Sequence, residues 1–456
     1  MYEKIKAALR ASRADYTEIR LENTENTVVS YRGPELENVS AAIDGGGIVR
    51  CLVRDAGWGI ATFNDTEDLV TKVEQAYQCA KVGTAEELID LAPIPVVEDS
   101  IDVELDDDFR DVPLADKAEL ARRYNTILLG YSDKIVDTAC SYRDRYTRLV
   151  FANSEGTYIE ETRPSIAIMA LAIGRDGENV QQAFESRAGQ NGFDFIRGRE
   201  ALVQEVAERA VALLSAKPVK GGEYPVIINP HLAGVFIHEA FGHLSESDFI
   251  YENPRAQEMM VLGRRFGPEI LNVFDDGSLK GLRGTHRYDD EGTPTSRTDL
   301  IANGVLVGRL HSRETAAKLG ESPTGNARAI NYRHPPIVRM TNTAIEGGDT
   351  PFEEMIRDIE LGIYACDAFG GQTELESFSF SAGYAYMIRD GQIAEMVKDV
   401  ILAGNLFTTL MSIDAVGNDF VWSESGGGCG KGGQGGLPVT FGAPHVRIQN
   451  VVIGGE

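Results

Sequence analysis

Apolar positions in the first half of the chain follow two periodicities, one helical and one typical of strands. Helical spacing is present over residues 1–10, 69–77, 114–129 and 201–214. Strand-like alternation occupies 16–21, 27–31, 47–54, 137–142, 147–152, 157–161 and 165–172. Turns are predicted at 45–47, 56–57 and 153–156, where glycine and asparagine cluster. The first half is therefore predicted to be a mixed α/β domain.

The second half is predicted to be rich in β-structure. The segment 217–222, Lys-Pro-Val-Lys-Gly-Gly, follows the last helix and marks a domain boundary, which gives domains 1–219 and 220–456. A strand at 224–228, a turn at Asn229-Pro230 and an apolar helical run over 231–237 come next. Gly-containing turns follow at 275–277, 303–304 and 390–391. The predicted class is α+β, with an N-terminal α/β domain and a β-rich C-terminal domain that carries the helix described below.

Length and composition exclude several classes of protein. A chain of 456 residues is longer than one hydrophobic core usually supports, and its 43% hydrophobic and 25% charged residues are typical of a globular protein. Apolar runs stay well below the ~20 residues that span a bilayer, and the first residues lack a secretory signal, so a cytoplasmic protein is expected. A net charge of −26 disfavours nucleic acid as a ligand. The five cysteines are scattered, so we expect no disulfide framework and at least four small core residues.

The segment His238-Glu239-Ala240-Phe241-Gly242-His243 contains the residue types of a zinc peptidase site in an unusual spacing. The usual motif sets its histidines about four residues apart, on one face of a helix, with a glutamate after the first. Here they are five apart, which in a straight α-helix would splay them by about 140°. A π-bulge, absorbed at Gly242, would bring both imidazoles back to one face, and such bulges concentrate at functional sites. A pair of buried structural histidines is the alternative.

A third metal ligand is predicted at Cys429, in the glycine-rich segment 425–436. Catalytic zinc sites usually have three protein ligands, and glycines let a backbone approach a metal closely. The segment could instead be a flexible linker, or Cys429 could be a nucleophile with Lys431 lowering its pKa. A phosphate loop is disfavoured because Gly432 stands where Ser or Thr is needed. A zinc thiolate explains Cys429 and the two histidines together, so we prefer it.

With these residues in view, the chain resembles the TldD/PmbA family of metalloproteases, also called modulators of DNA gyrase. The resemblance covers nearly the whole chain and is carried by HEAFGH (238–243), YDDEGTP (288–294), TGNAR (324–328), PIVRMTN (336–342) and CGKGGQ (429–434). It implies that His238, His243 and Cys429 are zinc ligands and that Glu239 is the catalytic glutamate. It also implies an N-terminal α/β domain joined to a β-rich domain, with the site enclosed in a dimer. In that family TldD pairs with TldE or PmbA, a partner lacking the metal residues, and some relatives are homodimers.

The predicted function is a zinc-dependent metallopeptidase that hydrolyses unfolded or small peptides, with water activated by zinc and Glu239. It is expected to act as a homodimer or as a heterodimer with a TldE/PmbA-like subunit. A non-catalytic subunit of such a complex is the main alternative. A cysteine-dependent hydrolase using Cys429 and a gyrase- or DNA-binding protein are two others.

Other polar residues receive weaker predictions. Tyr288, Asp289, Asp290 and Arg328 lie in the family-like segments and could hold substrate or an oxyanion, although acidic turns and a surface arginine are the more frequent explanation. The remaining histidines are expected to be structural or solvated, with His286 set apart because it borders the acidic segment: His231, His286, His311, His334 and His445.

Overall fold

The structure is a computed structural model that describes residues 1–454. Strand makes up 44% of the residues and helix 23%, and the C-terminal region is rich in strand, which confirms the predicted α+β class. None of the helices in this range is both long and apolar enough to span a bilayer. The five cysteines are free, and four of them are buried as predicted, whereas Cys79 is exposed.

A seven-stranded sheet forms the first half of the molecule. Its strands are β1 (Tyr16–Arg32), β2 (Glu35–Val53), β3 (Gly57–Phe63), β4 (Glu98–Ile101), β5 (Ile135–Asn153), β6 (Tyr158–Asp176) and β7 (Asn179–Gly189). The order is β3-β2-β1-β5-β6-β4, and β7 pairs with another stretch of β6. The helices of this half are α1 (Tyr2–Ala11), α2 (Leu69–Ala80), α3 (Leu114–Gly130) and α4 (Glu200–Ser215), with a short 3₁₀ turn at Phe193–Ile196. These helices bury their apolar faces against the sheet.

The strands are longer than the sequence pattern indicates. The predicted segments 16–21 and 27–31 are one strand, β1, and the same is true of β5 and β6. The break in the pattern arises because polar side chains are buried mid-strand. Thr24 hydrogen-bonds Thr147 across β1 and β5 at 2.9 Å, and Asp144 of β5 accepts a hydrogen bond from Lys117 at 2.6 Å. Burial of paired polar groups removes the apolar and polar alternation on which the prediction rested.

The turn predicted at 45–47 is wrong. Gly45, Gly46 and Gly47 lie inside β2, opposite residues 21–23 of β1. A Cβ on Gly46 would lie 2.3 Å from the carbonyl oxygen of Phe63 and 2.4 Å from the ring of Tyr332. The glycines therefore permit a close approach of neighbouring chain segments rather than a reversal.

The second half contains the remaining elements. Its strands are β8 (Lys217–Pro218), β9 (Gly222–Ile228), β10 (Val273–Asp276), β11 (Arg297–Ala302), β12 (Val305–Leu306), β13 (Ala327–Arg328), β14 (Ile337–Val338), β15 (Asn342–Ile345), β16 (Leu361–Glu374), β17 (Ser377–Arg389), β18 (Gln392–Lys398), β19 (Ile401–Asn405), β20 (Ile413–Val416), β21 (Val421–Trp422), β22 (Gly428–Lys431), β23 (Gln434–Pro438), β24 (Thr440–Ala443) and β25 (Val446–Gly454). Its helices are α5 (Pro230–Ile237), α6 (Ser247–Glu252), α7 (Pro254–Met259), α8 (Arg313–Leu319), α9 (Phe352–Ile356) and α10 (Leu406–Met411). A π-helical turn (His238–Gly242) and a 3₁₀ turn (His243–Ser245) follow α5.

Two sheets and two hairpins organise this half. The eight-stranded sheet has the order β16-β9-β25-β19-β17-β18-β8, with β20 beside β25, and the pairing of β16 with β17 closes five of its strands into a ring. The six-stranded sheet runs β12-β11-β10-β15-β24-β21. The turns predicted at 303–304 and 390–391 are confirmed. Asp275 and Asp276, by contrast, were predicted to begin a turn but lie in strand β10. Asp275 is buried there and accepts hydrogen bonds from Thr341 and Thr343. The domain division at residue 219/220 stays a prediction.

The acidic segment 288–291 joins the two halves. Asp290 is paired with Arg20 at 3.2 Å and with Arg163 at 2.9 Å, both from the first sheet. Glu291 lies 3.3 Å from Arg50 of β2. These groups are buried except Arg163, whose side chain is 24% exposed, so removing one of the buried partners would leave an uncompensated charge between the two halves. The segment therefore fixes how the first sheet sits on the β-rich half.

Candidate metal centre

Helix α5 precedes the 238–243 motif and leads it into the protein interior. Asn229 caps it by accepting a hydrogen bond from the Leu232 backbone amide at 2.9 Å, and Pro230 occupies the first turn, where a missing N–H costs nothing. Gly234 lets the helix lie close to β24, because a Cβ there would be 2.6 Å from the ring of Phe441. The helix is thus anchored at its start and packed along its length before it reaches His238.

The extra residue of the motif is accommodated by a π-helical turn over His238–Gly242. The backbone amide of His243 donates to the carbonyl of His238, five residues earlier, instead of closing an α-helical turn. This confirms the predicted bulge. Gly242 keeps a helical φ of −56°, so its part in the bulge is steric: a Cβ would lie 2.0 Å from the sulfur of Met340.

Cys429 lies in an ordered β-hairpin, so the linker interpretation of segment 425–436 is wrong. Strands β22 and β23 pair Cys429 with Leu437. Gly432 and Gly433, at the turn, have φ of 56° and 77°, a left-handed conformation that glycine adopts without strain. The glycines therefore shape a tight hairpin that holds the thiol in place.

The hairpin brings the thiol to the two imidazoles. One donor atom from each of His238, His243 and Cys429 lies within 4.8 Å of the others, and the Cys429 Sγ is 3.2 Å from His243 Nε2. Donors around a tetrahedral zinc are about 3.3–3.8 Å apart, given Zn–N of ~2.0 Å and Zn–S of ~2.3 Å. Nδ1 of His238 is buried and has no hydrogen-bond partner among residues 1–454. Two imidazoles and a thiol whose donor atoms lie this close together fit a metal ligand set.

Glu246 and Lys431 hold the far side of His243. The Glu246 carboxylate, 1% exposed, accepts from His243 Nδ1 at 3.0 Å and lies 3.0 Å from Lys431 Nζ. Lys431 also donates to Asp248 at 2.6 Å. It therefore ties the hairpin that carries Cys429 to the carboxylate that orients His243. The suggestion that Lys431 activates the Cys429 thiol finds no support in these contacts.

The cluster shifts the pKa values of its own members. Burial raises the pKa of the Cys429 thiol, but hydrogen bonds and charge from His238 and His243 outweigh it and bring the pKa down to about 5. Burial lowers the pKa of His243, but the Glu246 carboxylate and the Cys429 sulfur outweigh it and raise the pKa to about 11. Near neutral pH the lowered pKa of Cys429 favours the thiolate in the metal-free protein, the form of cysteine that binds zinc.

These shifts predict a pH dependence of stability in the metal-free protein. The Cys429 pKa falls from 9.0 to about 5 on folding, so its contribution is complete above pH 9.0 and is lost as the pH falls through about 5. His243 rises from 6.5 to about 11, so its contribution is complete below pH 6.5 and is lost as the pH rises through about 11. Metal-free wild type should therefore have a larger free energy of unfolding in urea than Cys429→Ala, and this difference should decrease as the pH is lowered. An equal difference at about pH 4 and about pH 8 would contradict these shifts.

Glu239 faces an open cavity beside the cluster. Its carboxylate lies 3.8 Å from His243 Nε2, and the side chain is 32% exposed. The cavity, about 310 Å³, is lined by His238, Glu239 and Cys429, by Phe184 and Ser186 of β7, and by apolar side chains that include Phe369 and Phe441. Both halves of the molecule therefore contribute to its walls.

Two lining residues were missed by the sequence analysis as parts of the site. His231 lies two helical turns before His238, so it shares the same face of α5 and reaches the cavity, with Ser423 Oγ at 3.3 Å from its Nδ1. That seven-residue spacing was the available signal. Asp367, in a left-handed conformation with φ of 55°, lines the same cavity and binds Arg209 at 3.0 Å. Its position depends on a distant strand pairing, which leaves no local signal.

The structure places the weaker candidates away from the cluster. Tyr288, Asp289, Asp290 and Arg328 do not line the metal-side cavity within residues 1–454, and all four are buried, so Arg328 is not a surface arginine. Asp289 caps its own turn through the amides of Glu291 and Thr293. His286 and His311 are buried and hydrogen-bonded, as expected of structural histidines.

The sequence of this chain matches three domains of a single protein family along its length. The PmbA/TldA metallopeptidase domain 1 matches residues 17–80, the central domain 107–214 and the C-terminal domain 221–455. The chain belongs to the PmbA/TldD metallopeptidase family. This confirms the resemblance found in the sequence and supports the interpretation that the chain is a metallopeptidase.

Family members from bacteria and archaea match over almost their full length. A metalloprotease of Synechocystis is 49% identical over 446 residues, which cover 98% of this chain and 96% of that protein. A metalloprotease of Methanocaldococcus jannaschii is 36% identical and covers 98% of each chain. A zinc metalloprotease TldD homolog of Saccharolobus solfataricus is 28% identical and covers 100% of each.

Solved structures share the fold at low sequence identity. A proposed modulator of a DNA gyrase from Thermotoga maritima has a TM-score of 0.80 at 21% identity and covers 100% of both chains. TldE from Thermococcus kodakarensis has a TM-score of 0.77 at 20% identity and covers 99% of both. The whole chain therefore adopts the fold of this family.

Proposed function

We propose that this chain is a zinc metallopeptidase of the His-Glu-x-x-x-His type that hydrolyses unfolded or small peptides. His238, His243 and Cys429 would hold the zinc, and Glu239 would move the proton. The observation that carries the proposal is the convergence of two imidazoles and a thiol 186 residues further along the chain, beside an open cavity. A cytoplasmic location belongs to the same proposal.

Zinc in this ligand set would supply Lewis acidity to a peptide carbonyl and to water. The donors fit zinc by residue type, because thiolate and imidazole are its usual protein ligands. The Glu246 carboxylate holds Nδ1 of His243, which directs Nε2 of that ring towards the sulfur. Such carboxylate-to-histidine contacts orient a ligand and fix its tautomer.

Glu239 is the carboxylate best placed to take a proton. Three carboxylates line the cavity, and two of them, Glu185 and Asp367, are paired with Arg209. Glu239 makes no ion pair with an arginine or lysine in the described part of the chain, so its oxygens are free to accept a proton from water and pass it to a leaving amine. Its proximity to the ligand His243 supports this role.

The shape of the cavity supports peptide substrates rather than folded proteins. At about 310 Å³ it accommodates a few residues of an extended chain, and its walls combine aromatic side chains with the exposed backbone of Gly427 and Gly428. Backbone groups recognise a peptide without regard to its side chains. Unfolded and small peptides can enter a cavity of this size, and they can present their backbone to its walls.

Chelation tests this proposal against a cysteine-dependent hydrolase. Hydrolysis of an unfolded peptide should stop on treatment with a chelator and return on adding Zn²⁺. Activity that survives chelation but is lost on alkylation of Cys429 would instead favour thiol catalysis.

Loss of the carboxylate behind His243 should weaken zinc binding. Replacing Glu246 with Gln removes the charge that holds Nδ1 of His243 and leaves Lys431 without this partner, so zinc affinity should fall about 10–100-fold. The measurement is competition with a chelating dye. Glu18→Gln is the matched control, because Glu18 is also a buried glutamate, paired with Arg50 at 2.7 Å in the first sheet. Equal zinc affinities of Glu246→Gln and wild type would show that the carboxylate does not position the ligand.

We further propose that the chain acts as a dimer, with a second copy or with a TldE-like subunit. The fold that it shares with TldE from Thermococcus kodakarensis supports this, because two chains of one fold can present similar surfaces to each other. Light scattering of the purified chain should give twice the chain mass if the partner is a second copy. A monomer that also stays unpaired with a TldE-like chain would contradict the proposal.

A further inference from the structure

A second cavity, the arginine pocket, lies between the first sheet and the β-rich half and is rich in positive charge. It has a volume of about 80 Å³, and its charged lining residues are Arg145, Arg163, Arg283, Arg328, Glu22 and Asp290. Four cations and two carboxylates therefore face one small space. Neither the metal centre nor the ion pairs of the domain interface account for this excess of arginine.

The two carboxylates are already neutralised. Asp290 is paired with Arg20 and Arg163, and Glu22 lies 3.2 Å from Arg20. Among the side chains that the structure describes, by contrast, Arg145, Arg283 and Arg328 make no ion pair within 4.0 Å. The pocket thus contains three guanidinium groups that form no ion pair with a described carboxylate.

Two of these arginines are oriented by main-chain contacts alone. Arg328, 7% exposed, donates to the carbonyls of Met340 and Pro438. Arg283 donates to the carbonyl of Gly427, and its Nε is buried with no hydrogen-bond partner in the described chain. Burying a guanidinium group that no carboxylate pairs with directly is costly. Asp290 and Asp275 offset part of that cost for Arg328, and a bound anion would reduce it further.

We propose that the arginine pocket binds a carboxylate group. A volume of about 80 Å³ holds one such group and little more. Guanidinium is planar and offers paired N–H donors that match the two oxygens of a carboxylate. Thr147 and Ser165 also line the pocket, and their hydroxyl groups can donate to the same oxygens.

The arginine pocket is linked to the metal centre through the hairpin. Arg283 holds the carbonyl of Gly427, and Gly427 lines the metal-side cavity. Leu437, the cross-strand partner of Cys429, lines the arginine pocket. The two cavities therefore lie on either side of segment 427–438. This makes the carboxylate end of a peptide one source of the ligand, which rests on the proposed function, and a free small carboxylate the other.

Binding to a variant that does not turn over peptide separates this proposal from the catalytic one. In the Glu239→Gln background, fluorescence anisotropy compares one labelled unfolded peptide with a free C-terminal carboxylate or a C-terminal amide. The acid should bind about 10-fold more tightly, because a charge-assisted hydrogen bond contributes roughly that factor. Adding Arg145→Gln or Arg283→Gln should abolish the difference. Arg148→Gln is the matched control, since Arg148 lies on the same strand, is exposed and is paired with Glu25.

The second arm uses acetate as a free carboxylate. If free carboxylates are the ligand, acetate should raise the melting temperature of wild type but not of Arg145→Gln, and acid and amide peptides should bind alike. Either arm supports the arginine pocket and identifies the source. The proposal is overturned if acid and amide bind equally and acetate has the same effect on wild type and both variants. Arg145 is only partly buried, so its variant keeps the test valid even where Arg283→Gln does not fold.

Discussion

Replacing Glu239 with Gln is expected to reduce peptide hydrolysis by about 10²–10⁴-fold while zinc remains bound. The amide keeps the size of the side chain but cannot accept a proton from water. The Glu239 carboxylate is 3.8 Å from Nε2 of His243 and is not one of the proposed ligands, so the substitution leaves the donor atoms of His238, His243 and Cys429 in place. Initial rates on an unfolded peptide and zinc content of the same sample are the two measurements.

The matched control for this variant is Glu252→Gln, an exposed glutamate at the end of α6. It should hydrolyse peptide at the wild-type rate. If Glu239→Gln retains both zinc and normal turnover, another group takes the proton and Glu239 has no part in the reaction. If it loses zinc, Glu239 supports the metal rather than the chemistry.

Replacing Cys429 with Ala is expected to weaken zinc binding by more than about 100-fold, since loss of an outer contact of a ligand alone costs about 10–100-fold. The substitution removes the anionic donor and leaves two histidines, which is fewer than the three protein ligands of a typical catalytic site. Hydrolysis should be lost at low zinc concentration. Zinc content by mass spectrometry after dialysis against a weak chelator measures the effect directly.

Cys140→Ala is the control for a general effect of removing a buried thiol, because Cys140 is fully buried in the first sheet. Its zinc content should equal that of wild type. A Cys429→Ala protein that still carries one zinc per chain would place the third ligand elsewhere. In that case metal binding would no longer explain why the hairpin lies beside the π-helical turn.

Both parts of the candidate metal site, the His238–His243 motif and the Cys429 segment, could be predicted from the sequence because each has a local sequence pattern. The five-residue spacing of His238 and His243 predicts a π-helical turn on the geometry of the α-helix alone, and the structure contains that turn. Cys429 is set apart by its glycine neighbours, which form a tight hairpin. The roles of His238, Glu239, His243 and Cys429 stay predictions.

The contacts behind the ligands and across the domains could not be predicted. Glu246 reaches His243 only because a 3₁₀ turn follows the bulge, and Lys431 reaches Glu246 only because the hairpin folds over it. The three-residue spacing of His243 and Glu246 is compatible with one helical turn, but no spacing along the chain relates Lys431 to Glu246. The long strands were predicted as shorter segments because Glu22, Thr24 and Asp144 are polar but buried. The apolar and polar alternation is interrupted at these residues although the strand continues through them. Pairings between distant segments decide such positions.

Rate against bound zinc is the measurement that tests the central claim most directly. Metal-free protein is titrated with Zn²⁺, and hydrolysis of an unfolded peptide and metal content are followed in the same samples. The proposed site predicts a rate that rises in proportion to bound zinc and saturates at about one zinc per chain, the capacity of one three-ligand site. Hydrolysis that is complete before zinc is added, or that does not change as zinc binds, would contradict it.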